Sequence, residues 1–225
     1  MKILILPGLD GTVALLSEIV ELLDSKHEVT AVRYQPDVFC YQDLETRVEA
    51  LLPADEYIIV AESFSGPLAA MISAKKPNGL RGLAFVATFA TTPIKVPAFL
   101  TYLVDIAPTK SRLLIRLAQP FLMGRWATPK FTTEFQQVMC AVPASTIAGR
   151  LREVLKVNVV KQLNGIEVPT IYLAAKNDRL VPSRMASDFC QSPHTVFEIE
   201  GPHFLLQANA TDAAKCILDF AARFD

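Results

Sequence analysis

The chain has 225 residues, of which 51% are hydrophobic and 20% charged, and its net charge is −1. That length and apolar content suit one folded domain with a large core and exclude a disordered chain. The near-neutral charge supplies no field to hold a polyanion, so no nucleic-acid partner is expected.

In chain order, short apolar runs alternate with helical patterns. Lys2 to Leu6 reads as a first strand, ended by Pro7-Gly8. The run is too short for a signal-peptide core or a membrane span, so no stable membrane insertion and a cytoplasmic location are expected. The turn Gly8-Leu9-Asp10-Gly11 leads to Leu15, Leu16, Ile19, Val20 and Leu23 at helical spacing. Val29 to Tyr34 predicts a second strand whose alternation tolerates an exposed edge. Leu44 to Leu52 predicts a helix, Tyr57 to Ala61 a very apolar central strand, Phe64 to Ala74 a helix, and Leu83 to Thr88 a fourth strand.

From Thr92 to Ile166 the strand pattern stops, and Pro93, Pro97, Pro108, Pro120, Pro129 and Pro143 cut the sequence into short helix-like pieces. That is too long for an ordinary connection, so residues 92–149 are expected to form a helical cap, with Arg150 to Leu163 as a crossover helix. Thr170 to Ala175 and Thr195 to Ile199 predict the fifth and sixth strands, and Ala210 to Phe224 the last helix. The alternation implies an α/β fold with a parallel sheet. Cys40, Cys140, Cys190 and Cys216 are scattered, without a C-x-x-C pair, and are expected to be reduced, buried thiols.

Chemistry concentrates after the strands. In Tyr57-Ile58-Ile59-Val60-Ala61-Glu62-Ser63-Phe64-Ser65-Gly66 a buried strand ends, one Ser follows and a small-residue helix begins. Such a turn aims a hydroxyl off the strand toward backbone N–H groups, the setting of a nucleophile elbow. Small residues, here Ala61 and Ser65, stand two before and two after it. Helix capping is the plainer reading of Ser63. Ser65 is a weaker candidate nucleophile, since it would lie inside the helix. Acyl transfer needs two donors for an oxyanion. The N–H of Phe64 is one, and the loop Pro7-Gly8-Leu9-Asp10-Gly11 offers that of Leu9 as the other. That loop can also be read as a plain turn with Asp10 or Thr12 as helix cap.

A hydroxyl nucleophile needs a base. His27 reads as a solvated helix end and His194 as a structural residue at the start of the last strand. His203, in Gly201-Pro202-His203-Phe204, follows that strand, so it shares the sheet rim with Ser63. Asp178, in Asn177-Asp178-Arg179-Leu180-Val181-Pro182, follows the fifth strand on the same rim and can orient the imidazole. Asp188 falls inside a helical stretch and is a weaker choice. No metal-ligand cluster and no dinucleotide fingerprint occurs, so no cofactor is expected.

These segments together resemble the α/β-hydrolase superfamily. Leu-Pro-Gly-Leu-Asp-Gly-Thr, Ala-Glu-Ser-Phe-Ser-Gly, Asn-Asp-Arg-Leu-Val-Pro and Gly-Pro-His-Phe carry the resemblance. It implies a Ser63–Asp178–His203 triad under a helical lid and disfavours dehalogenases and epoxide hydrolases, which use Asp where Ser63 stands. The chain departs from the family in having Pro7-Gly8 where His-Gly is common, and Ala61 and Ser65 where Gly flanks the nucleophile. It begins at the strand bearing the oxyanion loop, where the family usually has two earlier strands. About six all-parallel strands are then expected, with the strand from Val29 to Tyr34 as an edge that a dimer partner or polar side chains would cover.

The expected cap is strongly apolar, with Phe99, Leu100, Tyr102, Leu103, Leu113, Leu114, Leu117, Phe121, Leu122, Met123 and Trp126. An apolar roof suits an ester or thioester of a small to medium acyl group. Lys110, Arg112, Arg116, Arg125 and Lys130 read as a solvated face, or as a docking site for an anionic acyl carrier. An acyltransferase with the same triad and a non-catalytic ligand-binding protein remain alternatives, and monomer and homodimer are both open.

Overall fold

The structure is a computed structural model and describes residues 1–93, 117–119, 121–189 and 194–224. Six strands, β1 (Lys2–Leu6), β2 (Glu28–Ala31), β3 (Tyr57–Glu62), β4 (Leu80–Val86), β5 (Thr170–Ala175) and β6 (His194–Ile199), pair in parallel. Their order across the sheet is β2-β1-β3-β4-β5-β6. The described helices are α1 (Ser17–Asp24), α2 (Tyr41–Glu49), α3 (Ser65–Ala74), α4 (Pro129–Ala141), α5 (Ala144–Lys156), α6 (Val160–Asn164), α7 (Leu205–Ala208) and α8 (Ala210–Ala221).

Both sheet faces are covered, which is why the central strands read as unbroken apolar runs. Ile3, Ile5, Ile58 and Val60 point to one face, against Ile19 of α1 and Ile217 and Phe220 of α8. Leu4, Leu6, Ile59 and Ala61 point to the other, against Leu44 of α2 and Leu68 and Ile72 of α3. Each such aliphatic side chain contributes about 1.5–3 kcal/mol relative to exposure. β2 is an edge, as its alternation implies. It is short, and Glu28 and Thr30 face solvent. Polar side chains on a short edge discourage pairing with another chain.

The topology positions the site. From β1 the chain moves outward to β2 over the face of α1. From β2 it returns over the opposite face through α2 to β3, on the far side of β1. The order reverses between β1 and β3, and loops at such a switch point diverge to leave a crevice. The loops after these strands carry Leu9 and Ser63.

Several expected boundaries shift. β4 starts at Leu80 and ends at Val86, because Ala87 turns to a φ of 44°. β2 ends at Ala31, although Val32 still donates to the Ile5 carbonyl at 2.9 Å. The single crossover helix expected from Arg150 to Leu163 is two helices. At Val157 the backbone is extended, Thr91 bridges Asn158 antiparallel, and Val159 donates to the Ala90 carbonyl at 2.8 Å. The β-branched run around Asn158 favours that extended link over a continued helix. The last helix ends at Ala221. The thiols also differ from expectation: Cys140 is exposed, and Cys40 and Cys216 are half-buried; Cys190 lies outside the described residues. Among the described residues no helix is long and apolar enough to cross a membrane.

α4 and α5 lie between β4 and β5 in the chain and carry their own apolar cluster. Met123, Phe131, Phe135, Val138 and Ile147 pack with Leu15 and against Leu9 and Phe204. This cluster bears directly on the loops after β1 and β6. Helix α5 crosses residue 149, where the expected cap ends.

Candidate active site

β3 is buried along its whole length, and at its end Ser63 takes a φ of 48°. A left-handed residue bearing a Cβ costs roughly 1–2 kcal/mol, so the surroundings must hold it. They do so at three points. The Ser63 N–H donates to the Val86 carbonyl at 2.9 Å, Gly66 N–H donates to the Ser63 carbonyl at 3.1 Å, and the Thr88 hydroxyl donates to that same carbonyl. The close approach of α3 to the segment after β4 falls on Gly66, where a Cβ would stand 2.0 Å from Thr88 Oγ1. The glycine three residues past the Ser therefore does what small flanking residues were expected to do. Ser65 is fully buried; its hydroxyl donates to the Pro7 carbonyl and lies 2.6 Å from the Tyr34 hydroxyl. It acts as a brace between the start of α3 and the loop after β1.

Ser63 Oγ lies 2.7 Å from His203 Nε2, and His203 Nδ1 lies 2.8 Å from Asp178 Oδ2. The other Asp178 oxygen accepts the backbone N–H groups of Leu180 and Val181, each at 2.8 Å. The His203 and Asp178 side chains are only 7% and 6% exposed. The three residues follow β3, β5 and β6, and the sheet edge brings them together as the rim argument expects. Asn177 N–H donates to the Gly201 carbonyl at 2.9 Å, which ties the two loops carrying Asp178 and His203. Asp188 lies in the 3-10 helix Ser183–Phe189, which packs against the sheet through Met185 and Phe189.

Asp10 accepts the N–H of Thr12 at 2.9 Å, a local turn bond; α1 begins only at Ser17. Gly11, with a φ of 70°, donates to the Gly8 carbonyl at 3.0 Å. Across a trans peptide the C=O and N–H point in opposite directions. Fixing the Gly8 carbonyl toward Gly11 therefore turns the Leu9 N–H the other way. Among the described residues neither the Leu9 N–H nor the Phe64 N–H has an acceptor. Both residues line a cavity of about 250 Å³ whose polar wall is Asp10, Glu62, Ser63 and His203.

Among the described residues the apolar wall takes Leu122 from the expected roof and its other members from outside that set. Phe135 and Met139 of α4 and Ile147, Leu151 and Val154 of α5 supply it, together with Leu122 and Phe89. Of the aromatic and aliphatic residues expected there, Leu117 and Phe121 are exposed, Met123 is buried in the cluster behind, and Trp126 lines a separate groove. Phe99, Leu100, Tyr102, Leu103, Leu113 and Leu114 lie outside the described residues. The spacings Phe135–Met139 and Ile147–Leu151 are four-residue helical steps and mark this described wall in the sequence.

Glu62 is the residue that sequence reading left without a role. It is 4% exposed, its Oε1 has no hydrogen-bond partner among the described residues, and its Oε2 is 3.4 Å from Gln207 Nε2. Burial pushes its carboxyl up to about 7, against the attraction of His203 and the Gln207 bond and with the charge of Asp10. In the unfolded chain it ionises near its ordinary 4.5, so the folded state loses stability as pH rises from there to about 7. Each pH unit in that window costs about 1.4 kcal/mol. Glu62→Gln is therefore expected to match the parent in urea unfolding at pH 4.5 and to exceed it at pH 8 by on the order of 2–3 kcal/mol. Equal gaps at the two pH values would show that folding does not raise the Glu62 carboxyl.

No protein-family model matches the sequence, and no curated protein matches it. Solved structures do. An enol-lactonase from Burkholderia xenovorans LB400 superposes with a TM-score of 0.86 at 14% identity, over 98% of this chain and 91% of that one. A bromoperoxidase from Bacillus anthracis gives the same TM-score, identity and coverage. A thermophilic esterase from Thermogutta terrifontis gives 0.79 at 17% identity, over 99% and 90%. With the six-stranded parallel sheet flanked by helices, this decides the architecture. The chain has the α/β-hydrolase fold. The different activities named for similar structures show that this fold does not choose the chemistry, which has to be argued from the site.

Proposed function

We propose that this α/β-hydrolase-fold chain is a serine hydrolase that cleaves an ester or thioester of a small, apolar acyl group. One observation carries the reading: the unbroken line from Ser63 Oγ through both His203 nitrogens to Asp178, opening on a largely apolar cavity. A hydroxyl beside an imidazole that is itself held by a carboxylate is the arrangement acyl transfer requires.

In the proposed reaction His203 Nε2 takes the Ser63 proton as Oγ attacks the acyl carbonyl. The oxyanion lies between the N–H groups of Leu9 and Phe64. His203 then gives the proton to the leaving alcohol or thiol. It next removes a proton from water as the water attacks the acyl-enzyme, and returns that proton to Ser63 Oγ as the carboxylic acid leaves. Asp178 keeps the Nδ1 proton in place and balances the imidazolium. Its second oxygen, fixed by two backbone N–H groups, stops the carboxylate from rotating. Helices α4 and α5 act as the lid in this reading and exclude water with Phe135, Met139 and Ile147. The enol-lactonase and esterase names of similar structures accord with ester cleavage.

The cavity of about 250 Å³ falls just below the usual range for small-molecule sites, which favours short acyl chains. The test is a panel of nitrophenyl esters and acyl thioesters from acetyl to dodecanoyl, with Ser63→Ala as control and added alcohol to reveal transfer. Turnover is expected to peak among the short chains and to vanish in the control. Tight ligand binding without turnover across the panel would point to a binding protein instead. Of the cations offered as a carrier docking face, Lys110, Arg112 and Arg116 lie outside the described residues. Arg125 and Lys130 are exposed, and Arg125 sits over the Trp126 ring at 4.3 Å.

A further inference from the structure

Arg150 of α5 is 0% exposed. Its guanidinium donates to three backbone carbonyls: Leu9 at 2.9 Å, Gln35 at 3.2 Å and Val38 at 3.3 Å. It also lies 5.5 Å from the Tyr34 ring centre and 6.0 Å from that of Phe64. No carboxylate accepts from it among the described residues; Asp10 helps only through its charge. Burying a guanidinium costs several kcal/mol, and an apolar side chain of similar size usually serves stability as well or better. The partners of Arg150 suggest what it does beyond packing. Leu9 and Phe64 bear the two proposed oxyanion donors. Tyr34 braces Ser65, next to Phe64. The loop after β1 also wraps the cation closely, since a Cβ on Gly11 would stand 2.2 Å from Nη1.

Two bonds therefore hold the Leu9 residue, one on each side. The Gly8 carbonyl is taken by Gly11 N–H and the Leu9 carbonyl by Arg150. Together they fix both peptide planes that meet at Leu9 and so the direction of its N–H. The same helix supplies Ile147 and Leu151 to the cavity wall.

We propose that Arg150 is a positioning residue for the acyl-transfer reaction: a buried fork that locks the oxyanion loop, and with it Phe64, to helix α5 above the acyl cavity. This rests on the hydrolase reading given above. A planar fork that serves three carbonyls cannot be replaced by an ammonium. A slightly misplaced oxyanion donor weakens binding of the transition state and leaves ground-state binding nearly alone.

The test uses Arg150→Lys and Arg150→Ala, each checked for folding by circular dichroism. Steady-state kinetics are measured along with inhibition by a trifluoromethyl ketone that forms a tetrahedral adduct and by the product carboxylate. Loss of an oxyanion donor costs about 100–1,000-fold, so a misaimed one is expected to lower kcat by about 10–100-fold. KM and carboxylate affinity should stay within about threefold, while ketone affinity falls in step with kcat/KM. Added guanidinium ion should restore part of the lost kcat in Arg150→Ala, and not in Arg150→Lys, where the ammonium fills the site. Wild-type kcat in Arg150→Lys, or equal losses for ketone and carboxylate, overturns the proposal. Should Arg150→Ala fail to fold, Arg150→Lys alone decides. Failure of the parent to bind the ketone through Ser63 would instead overturn the hydrolase reading.

Discussion

Asp178→Asn is expected to lower kcat by about four orders of magnitude while the fold stays intact. The reason lies in which way the new amide must face. Asp178 Oδ1 accepts two backbone N–H groups, from Leu180 and Val181. An Asn there has one oxygen acceptor and one NH2 donor. The two backbone donors claim the oxygen, so the NH2 is left facing His203 Nδ1, which lies 2.8 Å from the present Oδ2. Nδ1 must then accept, which moves the ring proton to Nε2. A donor at Nε2, 2.7 Å from Ser63 Oγ, cannot take the serine proton. The variant should keep its melting temperature within a few degrees and retain slow labelling by a serine-directed inhibitor. Proton NMR of the imidazole region would show the changed tautomer directly. Near-parental kcat would mean that the Asn turns over, or that Asp178 does not orient the base.

Ser63→Gly is expected to remove turnover by about 10⁵–10⁶-fold and at the same time to be more stable than Ser63→Ala. The two substitutions delete the same hydroxyl but differ in backbone. At a φ of 48°, Ala keeps the roughly 1–2 kcal/mol strain of a left-handed residue, and Gly does not. Gly adds about 0.4–1 kcal/mol of unfolded-state entropy, so the net advantage is roughly 0.5–1 kcal/mol. Urea midpoints of the pair measure it. Strain stored at the proposed nucleophile would then show as a separate quantity from the chemistry performed there. A Ser63→Ala variant as stable as Ser63→Gly would mean that the left-handed turn carries no strain.

The sheet was legible in the sequence because buried parallel strands are apolar on both faces, and Pro-Gly, Ser-containing and Gly-Pro turns end them abruptly. The placing of Ser63, Asp178 and His203 on one rim followed from strand direction alone, since every strand of a parallel sheet ends on the same side. Distances between them are set by packing that no local pattern encodes. The boundary at Ala87 depends on a positive φ that Ala does not advertise, and the break at Val157 depends on a bridge to Thr91, far away in the chain. The cavity wall was legible in part. Apolar richness marks the cap but not which of its side chains face the cavity: Leu122 does, Phe121 and Trp126 do not, and helical spacings in α4 and α5 supply more of the described wall. Glu62 and Arg150 escaped because a charged residue in sequence reads as solvated, and only the fold shows both buried beside the site.

The proposed nucleophile can be tested without knowing the substrate. The folded protein is treated with a fluorophosphonate, and its intact mass and digested peptides are measured. One adduct is expected per chain, on the peptide carrying Glu62-Ser63-Phe64, and none on Ser63→Ala under the same conditions. An adduct on another residue, or ester hydrolysis surviving in Ser63→Ala, would contradict the assignment of Ser63.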